Sequence, residues 1–173
     1  KRAIMKFAKG YDDSAAYRKF IACRMISWAW KPFAKLSNAE LYAIMKARQE
    51  VFIIEQQCIY LDLDNADQNG WHLLGTESDG DLVAYLRVLP PTEQRPEPAI
   101  GRVLIVSTRR GHGLGRTLLA EGMQRTQEQF PGQDILLSAQ HHLEPLYQDL
   151  GFYRVSSPYL EDGIPHVDMR WSA

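Results

Sequence analysis

Cysteine is scarce in this chain. Of 173 residues only Cys23 and Cys58 are cysteine, and their spacing matches no zinc or redox pattern. That excludes a disulfide-stapled scaffold and a cysteine-built metal site, and it makes a reducing cytoplasm the expected setting. No apolar run approaches the roughly 18 residues of a membrane span, so no membrane partner is expected. Charge of one sign is also missing. Twenty Lys and Arg face 21 Asp and Glu, a net of −1, which is not the footprint of a nucleic-acid binder. No repeat and no low-complexity tract interrupts the pattern. What remains is 45% hydrophobic and 24% charged, ordinary for a soluble globular protein. The length suggests one domain with a sizeable core.

The charge is unevenly spread. Residues 1–24 hold seven Lys or Arg and two Asp, a net of +5, so the remainder carries −6. We read 1–24 as an extension and 25–173 as the domain. The extension is either foreign to the domain or a short docked helix, since Ile4, Phe7, Ala8 and Tyr11 share a helical face. Asp12 and Asp13, and the lack of a continuous apolar stretch, speak against a targeting segment.

From residue 26 the chain alternates strand and helix signals. "ISWAWKPF" alternates large apolar residues and reads as a strand. "LSNAELYAIMKARQEVF" reads as a helix, with Ser37 and Glu40 in capping-box spacing and Leu41, Ile44, Met45 and Arg48 on one face. "WHLLGTES" and "DLVAYLRVL" flank Asp79-Gly80, a hairpin signal. "PPTEQRPEP" is a loop, and the nearly continuous apolar run of "AIGRVLIV" predicts a central strand. A helical pattern runs from Gly113 to Phe130. "DILLS" reads as a short buried strand, and "HLEPLYQDL" as a short helix with Pro145 in its first turn. "FYRVSSPYL", the turn "EDGIP" and "HVDMRW" suggest a closing hairpin. The expected fold is α/β (α+β): a central twisted mixed sheet, partly antiparallel, flanked by helices.

The stretch "RVLIVSTRRGHGLGRTLL" asks why three alternate glycines sit between a strand and a helix, where each costs chain entropy. A P-loop needs a Lys-Ser/Thr pair that Gly111 to Arg116 lacks. A dinucleotide fingerprint needs G-x-G-x-x-G, and here the spacing is G-x-G-x-G. A purely structural strand-to-helix turn is open. So is a pyrophosphate cradle, in which bare backbone lets phosphates reach the unpaired amides of a helix N-terminus. Arg109, Arg110 and Arg116 add positive potential there.

"RRGHGLG" resembles the R/Q-x-x-G-x-G/A signature of the GNAT N-acetyltransferase superfamily, with Arg110, Gly113 and Gly115 in the signature positions. Downstream, "LYQDLGF" is similar to that family's F/L-Y-x-x-x-G-F segment. "RQEVFIIEQQCIYLDLD", "HLLG", "AYLRVL", "IGRVLIV", "SAQHHLEPLYQDLGF" and "EDGIPHVDM" look like the ElaA-like subgroup over roughly residues 27–171. The resemblance implies the GNAT fold and acetyl-CoA as donor, with direct acetyl transfer to a primary amine of a small molecule, peptide or protein. It implies that backbone groups of Val103, Leu104 and Ile105 pair with the pantetheine arm. Amides from Gly111, His112, Gly113, Leu114, Gly115 and Arg116 would hold the pyrophosphate, and Gln140 would contact the cofactor. A backbone N–H near Leu104 or Ile105 would polarise the thioester, and Tyr147 would be general acid.

The general base is open at this point. Glu55 in "FIIEQQ" has apolar neighbours that predict a carboxyl raised by desolvation. His166 in "GIPHVDM" has an unperturbed pKa suited to proton shuttling. His72, His141 and His142 read as cap or surface residues. "DLDNAD", Asp62 to Asp67, fails the calcium-loop pattern and reads as an acidic surface loop, or one beside the acceptor cleft that attracts a cationic amine. No metal is expected. A non-catalytic acetyl-CoA-binding module is the competing function. An acyl-homoserine-lactone-synthase-like acyltransferase is another, since such enzymes carry a similar "R-x-x-V-F" helix, although the glycine cradle favours CoA over a carrier protein. A homodimer stays open.

Overall fold

Ser37 starts the first helix, α1 (Asn38–Arg48), through the expected reciprocal cap: its hydroxyl accepts from the Glu40 amide, and the Glu40 carboxylate accepts from the Ser37 amide. The computed structural model describes residues 26–173, so the predicted extension 1–24 lies outside the described residues. Eight strands follow the expected order: β1 (Ser27–Pro32), β2 (Trp71–Thr76), β3 (Leu82–Leu89), β4 (Ala99–Ile105), β5 (Ile135–Gln140), β6 (Tyr153–Arg154), β7 (Tyr159–Glu161) and β8 (Ile164–Trp171). Helix α2 (Leu114–Gln129) links β4 to β5, and the short α3 (Glu144–Gln148) follows β5. One mixed sheet results, in the order β1-β2-β3-β4-β5-β8-β6, with β7 also pairing β8.

The sheet separates two cores. On one face α2 and α3 bury Leu118, Leu119 and Tyr147 against Leu73, Leu86, Val88, Ile135, Leu137 and Met169. On the other, α1 buries Ile44, Ala47 and Val51 against Leu74, Tyr85 and Leu104. This second core covers β2 to β4. Ser138, on the same face of β5, stays exposed.

Two departures from the sequence reading matter for the site. Helix α1 does not end at Phe52 but widens into a π-helix over Gln49–Glu55, with the Gln56 amide bonding five residues back to Val51 O at 3.3 Å. "FYRVSSPYL" is two short strands, not one. Between them the Ser156 hydroxyl takes the Asp168 amide at 2.8 Å, replacing a ladder bond, and Pro158 has no N–H to continue it.

Candidate active site

The site begins where β4 and β5 part. These neighbours run parallel and pair at Ala99↔Leu136 and Ile100↔Leu137 only. Beyond that point β4 stays bonded to β3, through Tyr85↔Leu104 and Ala84↔Ile105, while its other edge faces the opening. Val103, Leu104 and Ile105 therefore present backbone to a gap of the kind an extended ligand arm can enter as an added strand. Their side chains serve the two cores, Leu104 on the α1 side and Val103 and Ile105 on the other.

The opening leads to the N-terminus of α2. Gly113 is its cap residue at φ 80°, a left-handed conformation that L side chains rarely adopt, and Gly111 repeats that angle. Gly113 supplies no side-chain cap, and the first turn of α2 carries no acidic residue. The helix dipole normally attracts a carboxylate there. The Arg116 amide bonds to Gly113 O at 3.1 Å, which leaves the Leu114 and Gly115 amides for an outside anion. The residues fit a pyrophosphate by this measure: Gly111, His112, Gly113, Leu114 and Gly115 supply contiguous backbone. The His112 side chain is exposed.

Each arginine of the stretch has a carboxylate partner. Arg109 forks to Glu77 at 2.6 and 2.7 Å, and Arg116 meets Asp149 at 2.5 Å. Arg110 donates through Nε to Ile105 O at 2.9 Å and grips both carboxylate oxygens of Glu55. This overturns the expectation for Glu55. Its side chain is exposed, and the hydrogen bond from Arg110 holds its carboxyl below the usual range, the reverse of a desolvated base. The next residue, Gln56, accepts from Gln140 Nε2 at 3.3 Å. The end of the π-helix thus spans the opening, with Glu55 tied beyond the end of β4 and Gln56 to the end of β5.

His166 lies across from Gln140 in the β5–β8 register, on the face that α1 leaves uncovered. Its Nδ1 is 2.8 Å from Ile164 O. A carbonyl only accepts, so Nδ1 carries the proton and the neutral ring's lone pair is at Nε2. Tyr159 stacks on the ring with centroids 6.2 Å apart, and its hydroxyl meets Ser138 Oγ at 2.6 Å and Asp168 Oδ1 at 2.7 Å. Burial, with Asp168 adding, pushes the Tyr159 phenol up to about 12. The residue reading missed Ser138, Tyr159, Asp168 and Gln56. The Asp162-Gly163 turn, positive in φ at both residues, was the available signal, because a tight hairpin there sets Tyr159 opposite His166.

Tyr147 lies on the other side of the sheet. It is 5% exposed, edge-on to Phe152, and burial pushes its phenol up to about 12. Its hydroxyl has no hydrogen-bond partner among the described residues.

The other sequence candidates do structural work. His72 is buried, not at the surface: Nε2 donates to Asp67 O at 3.1 Å, which leaves Nδ1 to accept from the Tyr85 hydroxyl at 2.8 Å. His141 is exposed beside Glu144. Asp62, Asp64 and Asp67 are not a solvated or amine-attracting loop. They interlock with Arg48, Arg87 and Arg102 at 2.7–3.2 Å. No helix among the described residues is long and apolar enough to cross a membrane.

Comparison with known proteins agrees with this geometry. Residues 36–173 match the family described as "Acetyltransferase (GNAT) domain". The chain belongs to the GNAT acetyltransferase family. It is 42% identical over 144 residues to a UPF0039 protein of Synechocystis, covering 83% of this chain and 94% of that one. It is 38% identical over 147 residues to the protein ElaA of Escherichia coli, covering 84% and 95%. Among solved structures, an acyl-CoA N-acyltransferase from Pseudomonas aeruginosa superposes with a TM-score of 0.82 at 40% identity, covering 86% of this chain and all of that one. Escherichia coli ElaA superposes at 0.80 with 36% identity, again over 86% and 100%. The GNAT fold and the ElaA-like resemblance read from the residues therefore hold, and acyl-CoA-dependent acyl transfer is the reaction class they carry.

Proposed function

We propose that this GNAT domain is an N-acetyltransferase that moves an acetyl group from acetyl-CoA directly to a primary amine of a small molecule or peptide. The observation that carries this reading is the donor groove: a strand edge left open by the parting of β4 and β5, ending at an acid-free helix N-terminus.

The residues divide the work by charge. Amides of Gly111 to Gly115 and the Arg110 guanidinium serve the pyrophosphate, and Gln140 adds an amide contact. A backbone N–H at Leu104 or Ile105 stabilises charge building on the thioester oxygen. An attacking amine must be neutral and must then lose a proton. His166 Nε2 is the acceptor, because its tautomer leaves that nitrogen free while Glu55 is held ionised by Arg110. Tyr147 donates to the departing thiolate: its raised pKa keeps it protonated, and its hydroxyl has no competing partner.

The test is mass spectrometry with acetyl-CoA, longer acyl-CoAs and an amine panel. Thiol release that depends on an acceptor, fastest with acetyl-CoA, is expected. Tight CoA binding without turnover across the panel would instead make the domain a binding module.

A further inference from the structure

Acyl transfer as derived above leaves the acidic segment Asp62 to Asp67 without a role. Its partners point to one. Between the pairs Arg87↔Gly101 and Tyr85↔Leu104, β4 carries one more residue than β3. Arg102 is part of this bulge and sits at φ 52°, a conformation costly for any residue with a side chain. Such a residue persists only where its surroundings over-determine it.

They do so here. Arg102 Nε donates to Asp62 Oδ1 at 2.7 Å, and Nη2 donates to Asp62 O and Asp64 Oδ2, both at 3.2 Å. The guanidinium also lies 5.8 Å from the centre of the Tyr60 ring, whose hydroxyl donates to Asp62 Oδ1 at 3.0 Å. Both aspartates are anchored from the core. Arg48, almost fully buried, takes Asp62, and Arg87 takes Asp64 with both terminal nitrogens. The bulge takes in Arg102 and Val103 opposite Leu86, and β4 has left β5 after Ile100. The direction in which Val103 to Ile105 present their backbone is therefore set at Arg102.

We infer that Arg102, clamped by Asp62 and Asp64, is a positioning residue that fixes the backbone of Val103–Ile105 for the acyl-CoA arm. The acidic segment thus governs donor binding without touching the donor. This rests on reading β4 as the donor track.

Calorimetry with CoA tests it, and no acceptor is needed. Arg102→Gly keeps the positive φ accessible while removing the clamp, so Kd for CoA rises about tenfold although the strand is free to bulge. Arg102→Lys restores part of the affinity, since an ammonium supplies the charge without the fork. Asp64→Asn, at a partly exposed carboxylate, gives a smaller loss in the same direction and serves if the Arg102 variants unfold. A purely structural role would lower Tm in all three and leave Kd of the folded protein at the wild-type value; that result overturns the inference. Gly113→Val separates the two levels. If it loses CoA while Arg102→Gly does not, the clamp fails alone. If the wild type binds no CoA, the donor track itself is wrong.

Discussion

Tyr147 buries its ring, yet its hydroxyl makes no hydrogen bond to a described residue and is not sealed from solvent. The ring sits on α3, in the core that α2 and α3 build against the sheet, edge-on to Phe152. Removing the hydroxyl is thus expected to separate function from stability. Tyr147→Phe keeps the ring packed on Phe152 and takes away only the unpaired group, so Tm should hold. Turnover should fall on the order of 10²-fold, the usual worth of a positioned acid, with little change in Kd for acetyl-CoA. With its pKa near 12, the wild-type phenol stays protonated through alkaline assay conditions, so no loss of rate below about pH 10 should trace to it. A variant as fast as wild type at every pH would remove Tyr147 from the mechanism. Glu55 shows the opposite case. Its apolar neighbours in sequence suggested desolvation, but the residue that decides its charge is Arg110, 55 positions away.

That distance explains what the sequence could and could not disclose at the level of elements. Local chemistry was legible. The Ser37–Glu40 cap, the turn at Asp79-Gly80 and the glycine-opened α2 all appear as read, because each is settled within a few residues. The π-helical end of α1 was not legible, since its residues carry a helical pattern whichever ladder they form. Nor was the parting of β4 from β5, which depends on which strands become neighbours. The inward turn of Asp62 to Asp67 hides for the same reason: three acids in a loop look solvated until Arg48, Arg87 and Arg102 arrive from separate elements. A glycine in mid-helix is another non-local signal. Gly122 lies on α2 where an added Cβ would come within 2.5 Å of Leu86 Cδ2, and Leu86 is fully buried. Alanine would gain about 1 kcal/mol in helix propensity but overpack the contact between α2 and β3, which costs about 1–3 kcal/mol. Gly122→Ala should therefore lower the unfolding free energy in urea, and Leu86→Val in the same chain should recover part of the loss. A more stable single variant would mean that the helix has room to shift outward.

Across the whole molecule, the same buried charges make stability depend on pH in one direction. Arg48 and Arg87 enter the interior from α1 and β3 and meet the loop carrying Asp62 to Asp67, joining the half of the sheet under α1 to the segment that grips Arg102 of β4. Hydrogen bonds from Arg87 hold the Asp64 carboxyl well below its ordinary range. For Asp67, burial alone would raise the carboxyl, and the two arginines reverse that into a net lowering. His72 beside them is also lowered, by burial, and stays neutral between Tyr85 and the Asp67 carbonyl. A group depressed in the folded state contributes stability above its unfolded pKa and loses it as pH falls toward the folded value. Both kinds of group therefore weaken the fold on acidification, in separate windows. His72 acts first, as pH drops below the ordinary imidazole range of about 6.5, and the carboxylates follow below about 4. Thermal unfolding from pH 8 downward should give a flat Tm, a first decline once pH drops below about 6.5, and a steeper one below about 4. His72→Gln should abolish the first decline and keep the second. A Tm unchanged down to pH 5 in the wild type would mean that His72 can accept a proton where it sits, and that the hydrogen bond from Tyr85 does not fix its tautomer.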